Sequence, residues 1–294
     1  MRRALRLAIV GGDRREAEAA AYLGRLGHAV TTLGGYRPVA SAVPADLWAS
    51  ADAVIGPALG TNAAGDAFYR PDQPLPIDPH WLDLCRPGTP WLVGRAGPWL
   101  QVATTSRGLC LSTYADTDEF ALLNAVPTAE GAMAEAGRLS GRTVWGEPAL
   151  VVGGGRCAQA LVSRLLLLGG TVTVAARNPV ERARATALGA AAIPLRAIPE
   201  VGGAFHLTFN TVPALVLGPR ELVALPPGAV IVDVASAPGG TDFVAAEGMG
   251  LLATLLPGIP GRFFPVTAGR IVAATVLQIL AQAAQGGEGD AGAR

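Results

Sequence analysis

The chain has 294 residues, half of them apolar and only 5% aromatic, and its 23 acidic residues balance its 23 basic ones. That length suits two domains with large aliphatic cores, and a net charge of zero lacks the basic excess of a nucleic-acid binder. All 23 cations are Arg, which excludes a Lys base, a Schiff base and a P-loop Lys.

The opening MRRALRLAIVGGDRRE carries an apolar run too short and too interrupted for a secretory signal, so residues 6–12 read as a first strand. A helix over 15–27 follows and ends on Gly27. Strands are predicted over 28–35, 51–57, 90–96 and 108–114. Residues 57–90, rich in Pro, Gly and Asp, read as a long ordered loop that could line an active site. Gly11-Gly12-Asp13-Arg14-Arg15 follows a strand but lacks the G-x-G-x-x-G spacing, so the first half is predicted to share a dinucleotide-binding topology without holding a cofactor. Cys85, Cys110 and Cys157 have no metal-ligand spacing and read as reduced thiols, and no metal site is predicted.

The bridge over 116–140 is predicted as two helices broken at Pro127, with Thr128 or its neighbour capping the second. The domain boundary falls there: 1–126 as the first domain, 127–294 as the second. Strands then alternate with helices: PALVVGG, TVTVAA, AAIPL, HLTFNTV, AVIVDVAS and GLLATLL. A last helix over 267–285 is expected to pack back on the first domain. Its apolar run 271–285 is too short to span a bilayer, and the tail GGEGDAGAR reads as unstructured. The fold class is therefore α/β: two Rossmann-like domains with parallel sheets, joined by a hinge helix.

Gly153-Gly154-Gly155-Arg156-Cys157-Ala158 fits G-x-G-x-x-A between a strand and a helix, the context a dinucleotide site requires. Gly153 permits the turn, Gly155 lets a pyrophosphate approach, Ala158 packs, and the helix start offers free N–H groups. An acid usually ends the second strand and holds the ribose of NAD. Here Ala175-Ala176-Arg177-Asn178 stands instead, with Arg182 nearby. Arg pairs with a 2′-phosphate, so NADP is the predicted cofactor, with NAD possible. Ligands in open parallel sheets lie beyond the carboxyl ends of the strands. That rule selects Asn210-Thr211-Val212-Pro213, the loop from Ser236 to Phe243 and the loop 257–261. It demotes His28 and His206, which begin strands, and leaves His80 open.

NTVPALVL, IVDVASAPGGTDF, LPGIPG and PVTAGRIVA, with DEFALLNAVPTAEGAM in the bridge and AIVGGDRRE at the start, resemble the dipicolinate synthase A-subunit family. The resemblance covers the chain except roughly 36–106. It implies two Rossmann-like domains with the active site between them, and oxidation of an intermediate of the dihydrodipicolinate pathway to pyridine-2,6-dicarboxylate during endospore formation. It also implies the flavoprotein-like B-subunit of dipicolinate synthase for a partner and a cytoplasmic setting in the mother cell; a homo-oligomer is expected, with no membrane or nucleic-acid partner.

Such a dicarboxylate substrate calls for Arg donors, for which Arg14, Arg262 and Arg270 are candidates. Thr128, Glu130, Thr241 and Asp242 are the candidates facing the cleft, with Glu130 or Asp242 as the proton acceptor or as plain helix-terminus residues. Two rival readings stand. One is an amino-acid or shikimate-type dehydrogenase, disfavoured by the missing Lys. The other is a non-catalytic NADP-binding subunit.

Overall fold

The computed structural model describes residues 3–36, 45–70 and 73–290. The chain divides into two compact units, Met1–Ala121 with Pro260–Arg294, and Leu122–Ile259.

Unit 1 begins with β1 (Arg6–Val10), α1 (Arg14–Arg25), β2 (Ala29–Leu33), α2 (Ala45–Ser50) and β3 (Ala53–Ile55). A two-stranded hairpin, β4 (Ala67–Arg70) and β5 (Gln73–Leu75), then leads to α3 (Pro79–Asp83), β6 (Pro90–Val93), α4 (Pro98–Thr105) and β7 (Cys110–Thr113). Five strands form a parallel sheet in the order β2-β1-β3-β6-β7. Successive residues of β1 serve opposite cores: Ala8 and Val10 join the cluster around Trp48 and Trp91, Leu7 and Ile9 the cluster around Tyr114 and Val272. A strand buried on both faces reads as the near-continuous apolar run RLAIV. Each fully buried aliphatic side chain stabilises by about 1.5–3 kcal/mol.

The segment 57–90, expected as a long ordered loop, carries regular elements instead. It forms β4, β5 and α3, and it delivers Ile77 and Leu82 to the core. Trp81 stacks on Trp48 at 5.2 Å between centroids. The strands are three and four residues long, too short for periodicity to register.

Helix α5 (Asp118–Ser140) is continuous, and Pro127 lies inside it. The expected break at Pro127 does not occur. Pro lacks only its own N–H bond to the preceding turn, and Ala125, Ala129 and Ala132 are buried around it and hold the helix in place. Thr128 does not cap a new helix: its hydroxyl donates to the Asn124 carbonyl at 2.8 Å.

Unit 2 continues with β8 (Pro148–Val152), α6 (Arg156–Leu167), β9 (Thr171–Ala175), α7 (Pro179–Ala187), β10 (Ala191–Ile193), α8 (Ile198–Val201), β11 (Leu207–Asn210), α9 (Pro219–Leu222), β12 (Val230–Asp233), α10 (Phe243–Gly248) and β13 (Leu252–Leu255). All six strands are parallel, in the order β10-β9-β8-β11-β12-β13. Numbered within the unit this is 3-2-1-4-5-6, the doubly wound order that creates a crevice where the winding reverses, between β8 and β11.

The chain ends with α11 (Ile259–Phe263) and α12 (Pro265–Asp290). Over Pro265–Gln285, α12 is long and apolar enough to cross a membrane by length and composition alone, unlike the shorter run read from the sequence. Its apolarity has a local cause: Val272, Ala273 and Val276 are buried in one cluster with Ala19 and Leu23 of α1. A Cβ at Gly269 would lie 2.6 Å from the Arg15 carbonyl oxygen, so only Gly permits this close helix crossing. The helix also runs past residue 286, where the tail was expected to lose structure; residues 291–294 lie outside those described.

Candidate functional site

Both units place a glycine turn between a first strand and a first helix, and the two turns are built differently. In unit 1 the start of α1 is filled by the chain itself. Asp13 caps it, accepting from the Arg15 N–H at 2.9 Å, and Glu16 reaches back to the Asp13 N–H at 2.8 Å, a complete capping box. The other Glu16 oxygen accepts from the Ala58 N–H at 2.8 Å. A Cβ on Gly12 would overlap the Glu16 side chain. The Arg15 guanidinium, 3% exposed, pairs with Asp13 at 2.8 Å. Burial and the neighbouring Asp13 push the Glu16 carboxyl up to about 8, against the opposing pull of Arg15 and of the Ala58 and Glu16 backbone N–H groups. Burial likewise pushes the Tyr114 hydroxyl well above its ordinary range, and that hydroxyl donates to the Gly56 carbonyl at 3.2 Å. A phosphate would have to displace Asp13 from this helix end.

In unit 2 the corresponding turn is open. Gly153 has φ +109°, a conformation that requires Gly, and a Cβ there would also overlap the Thr211 hydroxyl. Gly154 lies against Glu181. Gly155 caps α6 with no side-chain hydrogen bond, and its φ of −73° is one any residue adopts. Its chain neighbours and the helix's own backbone aside, no atom of the described residues lies within 4 Å of the position a Cβ on Gly155 would take. No side chain caps the first N–H groups of α6, which carry the positive end of the helix dipole. Arg156 is exposed and Cys157 half-buried on the first turn, while Ala158 is buried as a packing position.

The loops beyond β11 and β12 are tied together by a buried carboxylate that the motifs did not single out. Asp233, fully buried, accepts from the Asn210 side-chain amide (2.8 Å), the Gly240 N–H (2.8 Å), the Thr241 hydroxyl (2.9 Å) and the Ala235 N–H (3.0 Å). The Asn210 amide also donates to the Val212 carbonyl, and its oxygen accepts from the Val212 N–H. Asn210 and Thr241, expected at the ligand crevice, both hold the loops through these bonds. Asp242 caps α10, accepting from the Ala245 N–H at 2.9 Å. Thr211 donates to the Val152 carbonyl under the glycine turn, and Pro213 and Ser236 are exposed at the loop tips. The signal for Asp233 was an acid closing an otherwise apolar strand, VIVD.

The other expected residues are scattered. Glu130 pairs with Arg164 of α6 at 3.1 Å, within unit 2. Arg177 is exposed just past β9. Arg182 does not stand free beside it: one terminal nitrogen donates to the Ala176 and Arg177 carbonyls at 2.9 and 2.8 Å, fastening the end of the strand. Asn178 caps α7 through the Val180 N–H. In unit 1, Arg14 lies over the Tyr36 ring, Arg262 over Phe263 and Arg270 over Tyr22. Gly261 packs on the Asp13 carboxylate, which brings together the chain segments that carry Arg14 and Arg262. His28 accepts from the Leu5 N–H, a structural contact. Among the described residues no cluster of His, Cys, Asp and Glu could hold a metal.

The strand orders and the open glycine turn are those of two-unit, Rossmann-type dehydrogenase folds. D-lactate dehydrogenase from Escherichia coli shares the fold, with a TM-score of 0.59 over 95% of this chain and 97% of that one at 16% identity. The stronger matches are to dipicolinate synthase A-subunits. Residues 6–115 match the model of the N-terminal domain of the dipicolinate synthase A-subunit. The dipicolinate synthase A-subunit of Bacillus subtilis is 29% identical over 292 residues, covering 95% of this chain and 96% of the relative. The crystal structure of the dipicolinate synthase A-subunit from Bacillus halodurans superposes with a TM-score of 0.81 at 28% identity, covering 94% of this chain and 97% of that one. The chain is similar to dipicolinate synthase A-subunits along nearly its whole length.

Proposed function

We propose that this chain is an oxidoreductase acting as the A-subunit of a dipicolinate synthase: a dehydrogenase that oxidises an intermediate of the dihydrodipicolinate pathway to pyridine-2,6-dicarboxylate, with NADP favoured over NAD. The observation that carries the reading is Gly155, a residue whose glycine the fold does not require and whose missing side chain leaves the start of α6 open. Such a site fits a dinucleotide pyrophosphate.

The α6 N–H groups would hold the pyrophosphate, and Thr211 and Val212, packed on Gly153, shape the wall beside it. Arg177 would pair with a 2′-phosphate. The bound nicotinamide would supply hydride acceptance, and aromatisation of the ring supplies most of the driving force. Orientation therefore matters more than a strong base, which accords with Glu130 and Asp242 both being engaged in structural contacts. Arg14 and Arg262 are the residues we assign to a substrate carboxylate. On the resemblance, the partner we propose is a second, flavoprotein-like subunit and the setting the mother-cell cytoplasm of a sporulating bacterium; a homo-oligomeric state is proposed beside them.

The test is reconstitution. The purified chain is supplied with aspartate semialdehyde, pyruvate, the upstream synthase and NADP, with and without the flavoprotein-like second subunit. Formation of dipicolinate with equimolar NADP reduction is expected. Cofactor binding without turnover under either condition would support a non-catalytic, cofactor-binding subunit instead.

A further inference from the structure

The interval between the glycine turn and the end of the second strand receives the adenosine ribose of a dinucleotide. In this chain that interval is bounded by two opposite charges. Arg177 stands exposed at the strand end. Glu181, in the first turn of α7, lies against the turn itself: a Cβ on Gly154 would overlap its Cβ and fall 2.8 Å from its Cγ and Cδ. Glu181 is half-buried, and no hydrogen bond or ion pair from the described residues engages its carboxylate. It does not reach back to the N–H of the α7 cap Asn178, whose own side chain accepts from the Val180 N–H. Arg182, the nearest cation in sequence, is turned to the Ala176 and Arg177 carbonyls. A carboxylate that no protein donor engages can accept hydrogen bonds from a ligand.

We propose that Glu181 is a specificity-determining residue of the dinucleotide site. The acid that β9 lacks at its end is supplied one helical turn later, from α7. Its carboxylate accepts from the adenosine ribose hydroxyls of NAD and opposes the 2′-phosphate of NADP. Arg177 and Glu181 thus pull in opposite directions, and the preference for NADP is held to a narrow margin. The inference rests on the dinucleotide reading of the glycine turn.

The experiment is calorimetric titration of wild type, Glu181→Gln, Arg177→Ala and the double variant with NADP and NAD separately, with thermal unfolding of each as a check on folding. Glu181→Gln is expected to raise the ratio of NADP to NAD affinity roughly tenfold or more, the loss of one charge-assisted hydrogen bond on one side and of one repulsion on the other. Arg177→Ala is expected to lower the ratio, and the double variant to lie between. A purely structural role for Glu181 would change both affinities equally. An unchanged ratio in folded Glu181→Gln overturns the proposal while leaving the dinucleotide site standing. Failure of wild type to bind either cofactor overturns the underlying reading and this proposal with it.

Discussion

Substitution of Gly155 by Ala separates what the fold needs from what a ligand needs. The backbone at Gly155 has φ −73° and ψ −170°, open to any residue, and among the described residues nothing beyond its chain neighbours and the helix's own backbone stands within 4 Å of the new methyl group. Two small effects on stability oppose each other: Ala is a poorer N-cap than Gly, and it lowers the entropy of the unfolded chain by an equivalent of about 0.4–1 kcal/mol. The net change should stay within about 1 kcal/mol. Binding should respond very differently. The methyl group occupies the space from which a pyrophosphate oxygen must come within about 3 Å of the α6 N–H groups. Loss of two charge-assisted hydrogen bonds, each about 1.5–3 kcal/mol, weakens NADP by at least about 3 kcal/mol, which is a factor of about a hundred or more. Calorimetric titration with NADP beside a thermal melt reads both quantities. A Gly155→Ala variant that binds NADP within about twofold of wild type, equally folded, would refute the assignment of the glycine turn as the pyrophosphate site.

Asp233→Ala removes one acceptor from four donors in a fully buried site, so urea unfolding should show a loss of about 3–5 kcal/mol and cofactor affinity should fall with it. The raised Glu16 carboxyl gives a pH dependence. Because its folded-state value lies above its unfolded one, its contribution is fully present below the ordinary carboxyl range and is lost as pH rises to about 8. The urea midpoint of the wild type should therefore fall between about pH 5 and about pH 8, and Glu16→Gln should flatten that slope. Replacement of Arg14 and Arg262 by Ala, together, should raise the Michaelis constant for substrate by about tenfold or more while NADP binding is unchanged; an unchanged Michaelis constant would remove both from the substrate site.

The alternation of apolar strands and helices made both sheets legible in the sequence, because parallel strands such as RLAIV and ALVV are buried on both faces and read as apolar runs. The glycine turn was legible for the same reason: strand, turn and helix stand in order. Pro127 misled because tertiary packing holds α5 together where local preference would break it. The segment 57–90 misled because its strands are too short to show a period. Among site residues, Asn210, Thr241 and Asp242 were legible by their place at strand ends, whereas the carboxylate that ties Asn210 to Thr241, Asp233, stands apart from both in sequence. Glu16 carried a visible signature, the D-x-x-E capping box at 13–16. Its burial did not, since that depends on Ala58 and the packing beneath α1. Glu181 stood in the same short stretch as Arg177, yet only the contact with Gly154 sets it beside the turn.

The most direct test of the account is a crystal structure of the chain with NADP bound. It is expected to show the pyrophosphate on the first N–H groups of α6, above Gly155, with the 2′-phosphate beside Arg177. A cofactor seated away from that turn, or none at saturating NADP, would contradict it.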